Sequence, residues 1–213
     1  QTPNLVPIYT VNNGVAQLVN TTVAGYVQGG VWVTTEDRNL YPIINCDTGY
    51  SLDGNTGECV GNEYVVTLDK NAADATAGNI VQVNVIYGDS MPGLSAINAL
   101  PTRNGYQFVG YYDAPTGGTK YYNADGTSAH VWDKTGEDEV LYAHWAGNTI
   151  SLTYDGNGHG GTVPTQPATC TYGDNFTLPA AMSATGYTFA GWKSTGEPFA
   201  AGSSVTCNYT NLG

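Results

Sequence analysis

Positive charge is what this sequence has least of. Its 213 residues include six basic side chains against 18 acidic ones, for a formal net charge of −12. The six are Arg38, Lys70, Arg103, Lys120, Lys134 and Lys193, each standing alone. A nucleic-acid backbone or an anionic lipid surface is bound by clustered Lys and Arg that displace its counterions, so neither is expected as a partner. Charge of either sign is thin, at 11% of residues against roughly 25% in ordinary soluble domains. No apolar run approaches the roughly 18 residues that mark a membrane span, so no membrane insertion is expected. No stretch keeps apolar residues at helical spacing for more than about ten residues, which argues against long helices. No cleavable leader is visible. Gln1 fits the first residue left after a leader is removed, so the cytosol is not implied. There is no Gly-x-Ser-x-Gly elbow, phosphate loop or dinucleotide fingerprint, and nothing marks a carboxylate pair of the glycosidase type. The expectation is therefore no enzyme, no catalytic residue and no cofactor.

What is present favours strands. The chain has 28 Gly and 16 Tyr and is 41% apolar, a mix that suits strands joined by tight turns. Leu5–Val11, Val15–Val19 and Tyr26–Thr34 alternate as strands do, broken at Asn12-Asn13-Gly14 and Gln28-Gly29-Gly30. Pro7 has no amide to donate, which predicts an edge position or one-sided pairing for the first strand. The four cysteines are Cys46, Cys59, Cys170 and Cys207. An even number, widely spaced and without zinc-ligand spacing, reads as two disulfides. Of the three possible pairings, Cys46–Cys59 with Cys170–Cys207 is favoured. The first would staple a hairpin around the turn Asp53-Gly54-Asn55. This 14-residue segment resembles the last loop of an epidermal-growth-factor-like module.

From residue 63 the chain repeats itself. Tyr64–Asp69 matches Ile150–Asp155, and a second apolar segment ends in Tyr-Gly-Asp at 87–89 and again at 172–174. Gly105-Tyr106-Gln-Phe108-Val-Gly110-Tyr111 matches Gly186-Tyr187-Thr-Phe189-Ala-Gly191-Trp192. Equivalent points lie 85 and 81 residues apart, beyond the roughly 20–50 of solenoid repeats, so these are tandem domains. The order of strand, glycine-rich turn, Tyr-Gly-Asp, Gly-Tyr-x-Phe-x-Gly-aromatic and then Leu141-Tyr-Ala-His-Trp145 resembles the Listeria–Bacteroides repeat, also called the internalin-type B repeat. The resemblance implies a β-grasp-like fold, a place in bacterial surface proteins and no catalytic residues. The expected organisation is mainly β: an N-terminal β-strand region at 1–45, a disulfide hairpin at 46–62, a first β-grasp-like repeat at 63–147 and a second at 148–213. Tyr106, Phe108, Tyr187 and Phe189 alternate along their strands and should point into the two cores.

The remaining candidates are few. His130, His144 and His159 show no metal-ligand spacing, and His144 is expected to face solvent. Asp155-Gly-Asn157-Gly-His159 starts like a calcium loop, but Gln166 stands where a bidentate Glu is needed; with Asp53-Gly-Asn55 and Gly136–Glu139 it reads as a turn, so no metal site is expected. Asn20, Asn175 and Asn208 fit the glycosylation sequon. The Tyr111-Tyr112 and Tyr121-Tyr122 doublets should each turn one ring outward, which makes Tyr112 and Tyr121 the candidates for stacking on a sugar. The leading functional expectation is a non-enzymatic, extracellular structural or adhesive protein at a bacterial cell surface, a stalk or filament subunit. The alternative is an adhesin module that binds a glycan or host receptor. The second repeat runs only to Cys207–Gly213, short of a counterpart to Val140–Trp145. One explanation is a shortened segment. The other is head-to-tail self-association, in which Leu5, Val6, Ile8, Tyr9 and Val11 of one copy complete the last repeat of the next by strand addition.

Overall fold

The computed structural model describes residues 4–12, 15–28, 31–34, 40–41, 45–94 and 100–212. The turn residues Asn13-Gly14 and Gly29-Gly30 lie outside them. The protein is mainly β, with one four-residue helix, α1 (Tyr209–Leu212), among the described residues. It divides into two compact units, one of Gln1–Thr67, Gln82–Gly93 and Thr127–Val140, the other of Leu68–Val81, Leu94–Gly126 and Leu141–Gly213.

The first unit opens with an antiparallel sheet in chain order, β1 (Asn4–Asn12), β2 (Val15–Gln28), β3 (Val31–Thr34) and β4 (Leu40–Tyr41). β1 is at the edge, and its register breaks around Pro7: Val6 lies opposite Val23, but Ile8 lies opposite Asn20. A residue without an amide donor sits where the ladder is interrupted. Leu5, Val6, Ile8, Tyr9 and Val11 do have a partner in their own chain, since β1 pairs with β2 from Asn4↔Gly25 to Asn12↔Val15. The cause is proximity: closing a short connection costs little chain entropy, and it costs no association at all.

β5 (Tyr50–Leu52) and β6 (Cys59–Gly61) form the next hairpin. Cys46 is bonded to Cys59 across its base, with the two Cα atoms 5.6 Å apart. In the turn, Asp53 accepts the Asn55 amide at 2.8 Å, and that hydrogen bond holds its carboxyl below the usual range. β7 (Glu63–Asp69) then pairs with β8 (Gln82–Ile86). Their alternation is strict: Val66, Val83 and Val85 are buried, while Val65 is 52% exposed. Each fully buried side chain of this size contributes about 1.5–3 kcal/mol. Met91 and Trp132 are buried in the same unit.

β9 (Tyr106–Tyr112), β10 (Lys120–Asn123) and β11 (Val140–Gly147) complete a five-stranded sheet in the order β10-β9-β11-β7-β8. The last strand of the first repeat thus lies between its third and its first. Leu141 and Ala143 of β11 and Tyr111, Tyr121 and Tyr122 are buried in the second unit. Gly110 of the sequence signature is required by close approach: a Cβ there would lie 2.2 Å from the Tyr122 carbonyl oxygen, and one on Gly191 would lie 2.6 Å from that of Phe199.

The second repeat has shorter strands. β12 (Thr149–Ser151) pairs with β13 (Thr169–Thr171), and β14 (Asn175–Thr177) with β15 (Ser204–Thr206). Cys170 and Cys207 are bonded, with Cα atoms 6.0 Å apart, and both are buried. Leu178 and Val205 are buried with them. Backbone pairing shows how the repeats correspond. Gly88 donates to the Trp132 carbonyl and Trp132 to that of Asp89, both at 2.8 Å; Gly173 donates to Cys207 at 2.9 Å and Cys207 to Asp174 at 2.8 Å. Cys207 therefore stands where the first repeat has Trp132, and a disulfide replaces a buried indole.

Candidate functional site

The aromatic residues singled out in the sequence separate into different roles. Tyr121 is 1% exposed and offers no face to a ligand, which corrects its reading as an outward ring. Lys120 pairs with Tyr112 and Tyr122 with Tyr111, so Tyr121 is the extra residue of a bulge. Alternation does not hold across a bulge, and both rings of the doublet turn inward. Burial, reinforced by the charge of Asp69, pushes the Tyr111 hydroxyl up to about 12; burial raises that of Tyr122 as well. Tyr112 is half-buried, with His144 stacked on it at 3.9 Å and the Lys120 ammonium 5.3 Å from the ring centroid. His144 does not face open solvent: its Nε2 is 2.9 Å from the Ala114 carbonyl. Tyr187 is 61% exposed, against the expectation that it enters a core.

A contact built twice stands out. Gly105 turns the chain into β9 with φ +80°, and Tyr106 donates its amide to the Arg103 carbonyl at 3.1 Å. β11 ends at Gly147. The next residue, Asn148, donates to the Gly105 carbonyl and accepts from the Tyr172 amide, both at 2.8 Å. The Tyr172 ring lies directly over Gly105, where a Cβ would come within 2.4 Å of it; a Cβ on Gly147 would come within 2.2 Å of the Tyr172 carbonyl oxygen. Tyr106 and Tyr172 meet edge to face at 5.3 Å, a geometry worth about 0.5–1.5 kcal/mol beyond the area buried. Arg103 holds the other partner in place: its guanidinium carbon is 3.7 Å from the Tyr106 ring centroid, and its Nε donates to Asp74 at 2.9 Å. The hydrogen bond from Arg103 keeps the Asp74 carboxyl below its ordinary range.

The same contact joins the hairpin to the first repeat. Gly49 has φ +89°, and Tyr50 donates to Asp47 at 3.0 Å. Asn62 donates to Gly49 and accepts from Tyr87, both at 2.9 Å. A Cβ on Gly49 would lie 2.6 Å from the Tyr87 ring, and one on Gly61 2.1 Å from the Tyr87 carbonyl oxygen. Tyr50 and Tyr87 meet edge to face at 5.2 Å. The disulfide hairpin at 46–62 and a whole repeat therefore present one socket, a Gly-Tyr and a Gly-Asn, to the Tyr-Gly-Asp turn of the next module. In the second repeat the Gly-Tyr half recurs: Gly186 has φ +83°, Tyr187 donates to Ala184 at 3.1 Å, and nothing lies within 4 Å of a Cβ on Gly186. The sequence did carry this signal, in Gly49-Tyr50…Gly61-Asn62 and Gly105-Tyr106…Gly147-Asn148.

Comparison with known proteins gives a consistent picture. The model of the Listeria-Bacteroides repeat domain matches residues 64–144 and 151–212. Internalin H of Listeria monocytogenes is 40% identical over 93 residues, 43% of this chain and 15% of that protein. Two proteins of Evansella cellulosilytica, whose names describe a membrane protein and a Gly-rich membrane protein, are 27% identical over 137 residues and 26% identical over 159. These alignments cover 62% and 74% of this chain and 17% and 18% of the two relatives. The chain thus spans less than a fifth of the length of each relative. No solved structure matches.

Proposed function

Because the chain belongs to the Listeria-Bacteroides repeat family, we propose that it is a length of the extracellular part of a bacterial surface protein, working as a non-enzymatic stalk or filament element that supports adhesion. The observation that carries this reading is the joint built twice. A linker meant only to tether would be polar and free to bend. Here each crossing has two backbone hydrogen bonds, an edge-to-face tyrosine pair and glycines under close approach. Such contacts set a direction from one module to the next, which is the physical requirement of a stalk. Two disulfides fit an oxidising compartment. The names of the relatives, an internalin and two membrane proteins, support a place at the cell envelope.

A β-grasp-like fold for each repeat belongs to the same proposal, supported by the position of β11 between β9 and β7. So do domain boundaries at 62/63 and 147/148, which fall beside Asn62 and Asn148, the residues that bridge the two joints. The test is nitrogen-15 relaxation on the whole chain. Residues on the two sides of a joint should share one rotational correlation time, 46–62 with 82–93 and 103–112 with 149–177. Independent tumbling of the hairpin, the first repeat and the second would refute the stalk reading. Labelling of intact cells with an antibody against the repeats tests the location, and exclusively intracellular signal would refute it.

A further inference from the structure

Asn104 and Gly105 form the turn that leads into β9, and this turn carries one side of the joint between the repeats. Asn104 is exposed. Gly105 is buried under the Tyr172 ring and accepts the Asn148 amide at 2.8 Å. Its own amide nitrogen donates to no backbone carbonyl among the described residues. An asparagine followed by glycine is the pair in which the next amide nitrogen attacks the side chain most readily, because glycine brings no Cβ to crowd the ring that forms and its backbone bends freely. The turn of the first joint has Thr48 before Gly49, and its counterpart in the second repeat has Thr185 before Gly186. Neither threonine has an amide to react in this way.

The chain around the turn has no slack. Thr102 is tied to Thr76 by two backbone hydrogen bonds, at 2.8 and 3.0 Å. Arg103 is held by Asp74 and lies over the Tyr106 ring. Tyr106 donates to the Arg103 carbonyl at 3.1 Å across the turn and is paired with Gly147 in the sheet. An extra backbone atom between residues 104 and 105 would therefore displace Gly105 itself. One carbon lengthens the chain by about 1.5 Å. A displacement of that size along the bond takes the 2.8 Å contact between Gly105 and Asn148 past the limit of about 3.5 Å for such hydrogen bonds.

We propose that Asn104 is a self-modification site whose product releases the joint between the two repeats as the protein ages. The Gly105 amide nitrogen attacks the side-chain carbonyl carbon of Asn104. A C–N bond forms there, the bond to the side-chain nitrogen breaks, and that nitrogen leaves with the amide proton as ammonia. Water then adds to one of the two carbonyls of the cyclic imide. Opening at one restores the ordinary backbone with an aspartate side chain. Opening at the other routes the backbone through the former side chain and gives isoaspartate, one backbone carbon longer. Water is consumed, ammonia is released, and nothing is oxidised or reduced. Aspartate adds a charge at an exposed position and leaves the joint closed, whereas isoaspartate moves Gly105 off Asn148 and out from under Tyr172. This adds an ageing step to the stalk reading and rests on the joint that carries that reading.

The experiment incubates the whole chain, its disulfides intact, in mildly alkaline buffer, maps it by mass spectrometry and labels it with an isoaspartate-specific carboxyl methyltransferase. Amide exchange is then read by NMR at neutral pH. In fresh chain the Asn148 and Tyr172 amides should be protected; free-peptide exchange there would refute the joint, and with it the stalk reading, before any ageing. Aged chain should carry isoaspartate at position 104. In that fraction the Asn148 amide should exchange roughly tenfold faster, the loss of one hydrogen bond, with Val66 and Val83 unchanged. Asn104→Gln, whose longer side chain closes the ring far more slowly, should keep its protection through the same incubation. It retains Asn157-Gly158, so any effect of deamidation there would appear in both chains. With the fresh joint intact, three results would overturn the proposal: no isoaspartate at 104, isoaspartate there with Asn148 exchanging as in fresh chain, or equal loss of protection in the Asn104→Gln chain.

Discussion

Gly147 offers the sharpest test of the joint, because its requirement for glycine is purely steric. It is the last residue of β11, and its φ is not in the left-handed region. An alanine there suffers no backbone strain of its own. Its Cβ would nevertheless lie 2.2 Å from the Tyr172 carbonyl oxygen, well inside the 3.0 Å that real Cβ atoms respect, and that oxygen belongs to backbone that cannot rotate away. Either the Asn148–Tyr172 hydrogen bond at 2.8 Å lengthens or Tyr172 lifts from Gly105. Overpacking of this kind costs about 1–3 kcal/mol, which corresponds to a loss of roughly 5- to 150-fold in amide protection at RT ≈ 0.59 kcal/mol. We expect Gly147→Ala to accelerate exchange of the Asn148 and Tyr172 amides by that factor while Val66 and Val83 exchange as before. Gly186→Ala is the control. It occupies a φ of +83° with nothing within 4 Å of its Cβ, so it should show only the cost of about 1–2 kcal/mol for a left-handed non-glycine residue, confined to its own turn. Unchanged protection at Asn148 and Tyr172 in Gly147→Ala would refute the argument that the joint is held by close approach.

Three further outcomes follow from the packing. Cys170→Ser should destabilise the second repeat by about 3–4 kcal/mol, the expectation for a crosslink of this span, read as loss of a thermal transition; an unchanged melt would contradict the role assigned to the bridge between residues 37 apart. Tyr111 has a folded pKa raised to about 12, above the unfolded value near 10, so its contribution is complete below about pH 10 and is lost as pH rises through the folded value; absorbance at 295 nm should show a tyrosine fraction titrating late and together with unfolding, and a single titration near pH 10 on a folded protein would refute it. Leu141→Ala should cost about 2–5 kcal/mol of first-repeat stability, measured by urea denaturation, whereas Tyr112→Ala should cost far less because that ring is only half-buried; a reversal of that order would refute the burial described.

The parts of this structure that were legible in the sequence are those set by local chemistry. Tyr64–Asp69 and the apolar segment before the first Tyr-Gly-Asp are strands, and Pro7 falls at an edge strand where pairing is interrupted. The Gly-Tyr-x-Phe-x-Gly signature identified the repeats, and Gly110 needs to be glycine for the reason such residues usually do. What escaped depended on partners distant in sequence. Nothing local says that Tyr121 is the extra residue of a bulge, because the slip is defined only against Tyr111 and Tyr112 across the sheet. Tyr187 reads as a core aromatic by alternation, yet a core aromatic needs an opposing layer, and the second repeat presents 61% of that ring. The pairing of β1 with β2 joins strands adjacent in sequence, yet alternation within each strand does not say which strand it pairs with. The joint leaves a recurring Gly-Tyr and Gly-Asn in the sequence, but the contact itself is not local, since Gly105 and Tyr172 lie 67 residues apart.

The recurrence of one joint between unlike modules bears on how such arrays change over generations. Both the small hairpin and the complete repeat carry a matching socket, and each repeat carries, just after its second strand, the turn that fits it. A gene segment running from one Asn of the joint to the next encodes a piece that carries both the turn and the socket. Unequal crossing-over in that interval would add or remove a module without leaving either neighbour mismatched, and no new contact would have to be selected afterwards. Array length is then free to drift or to be tuned, while the sequence of each joint is held in place on both sides at once.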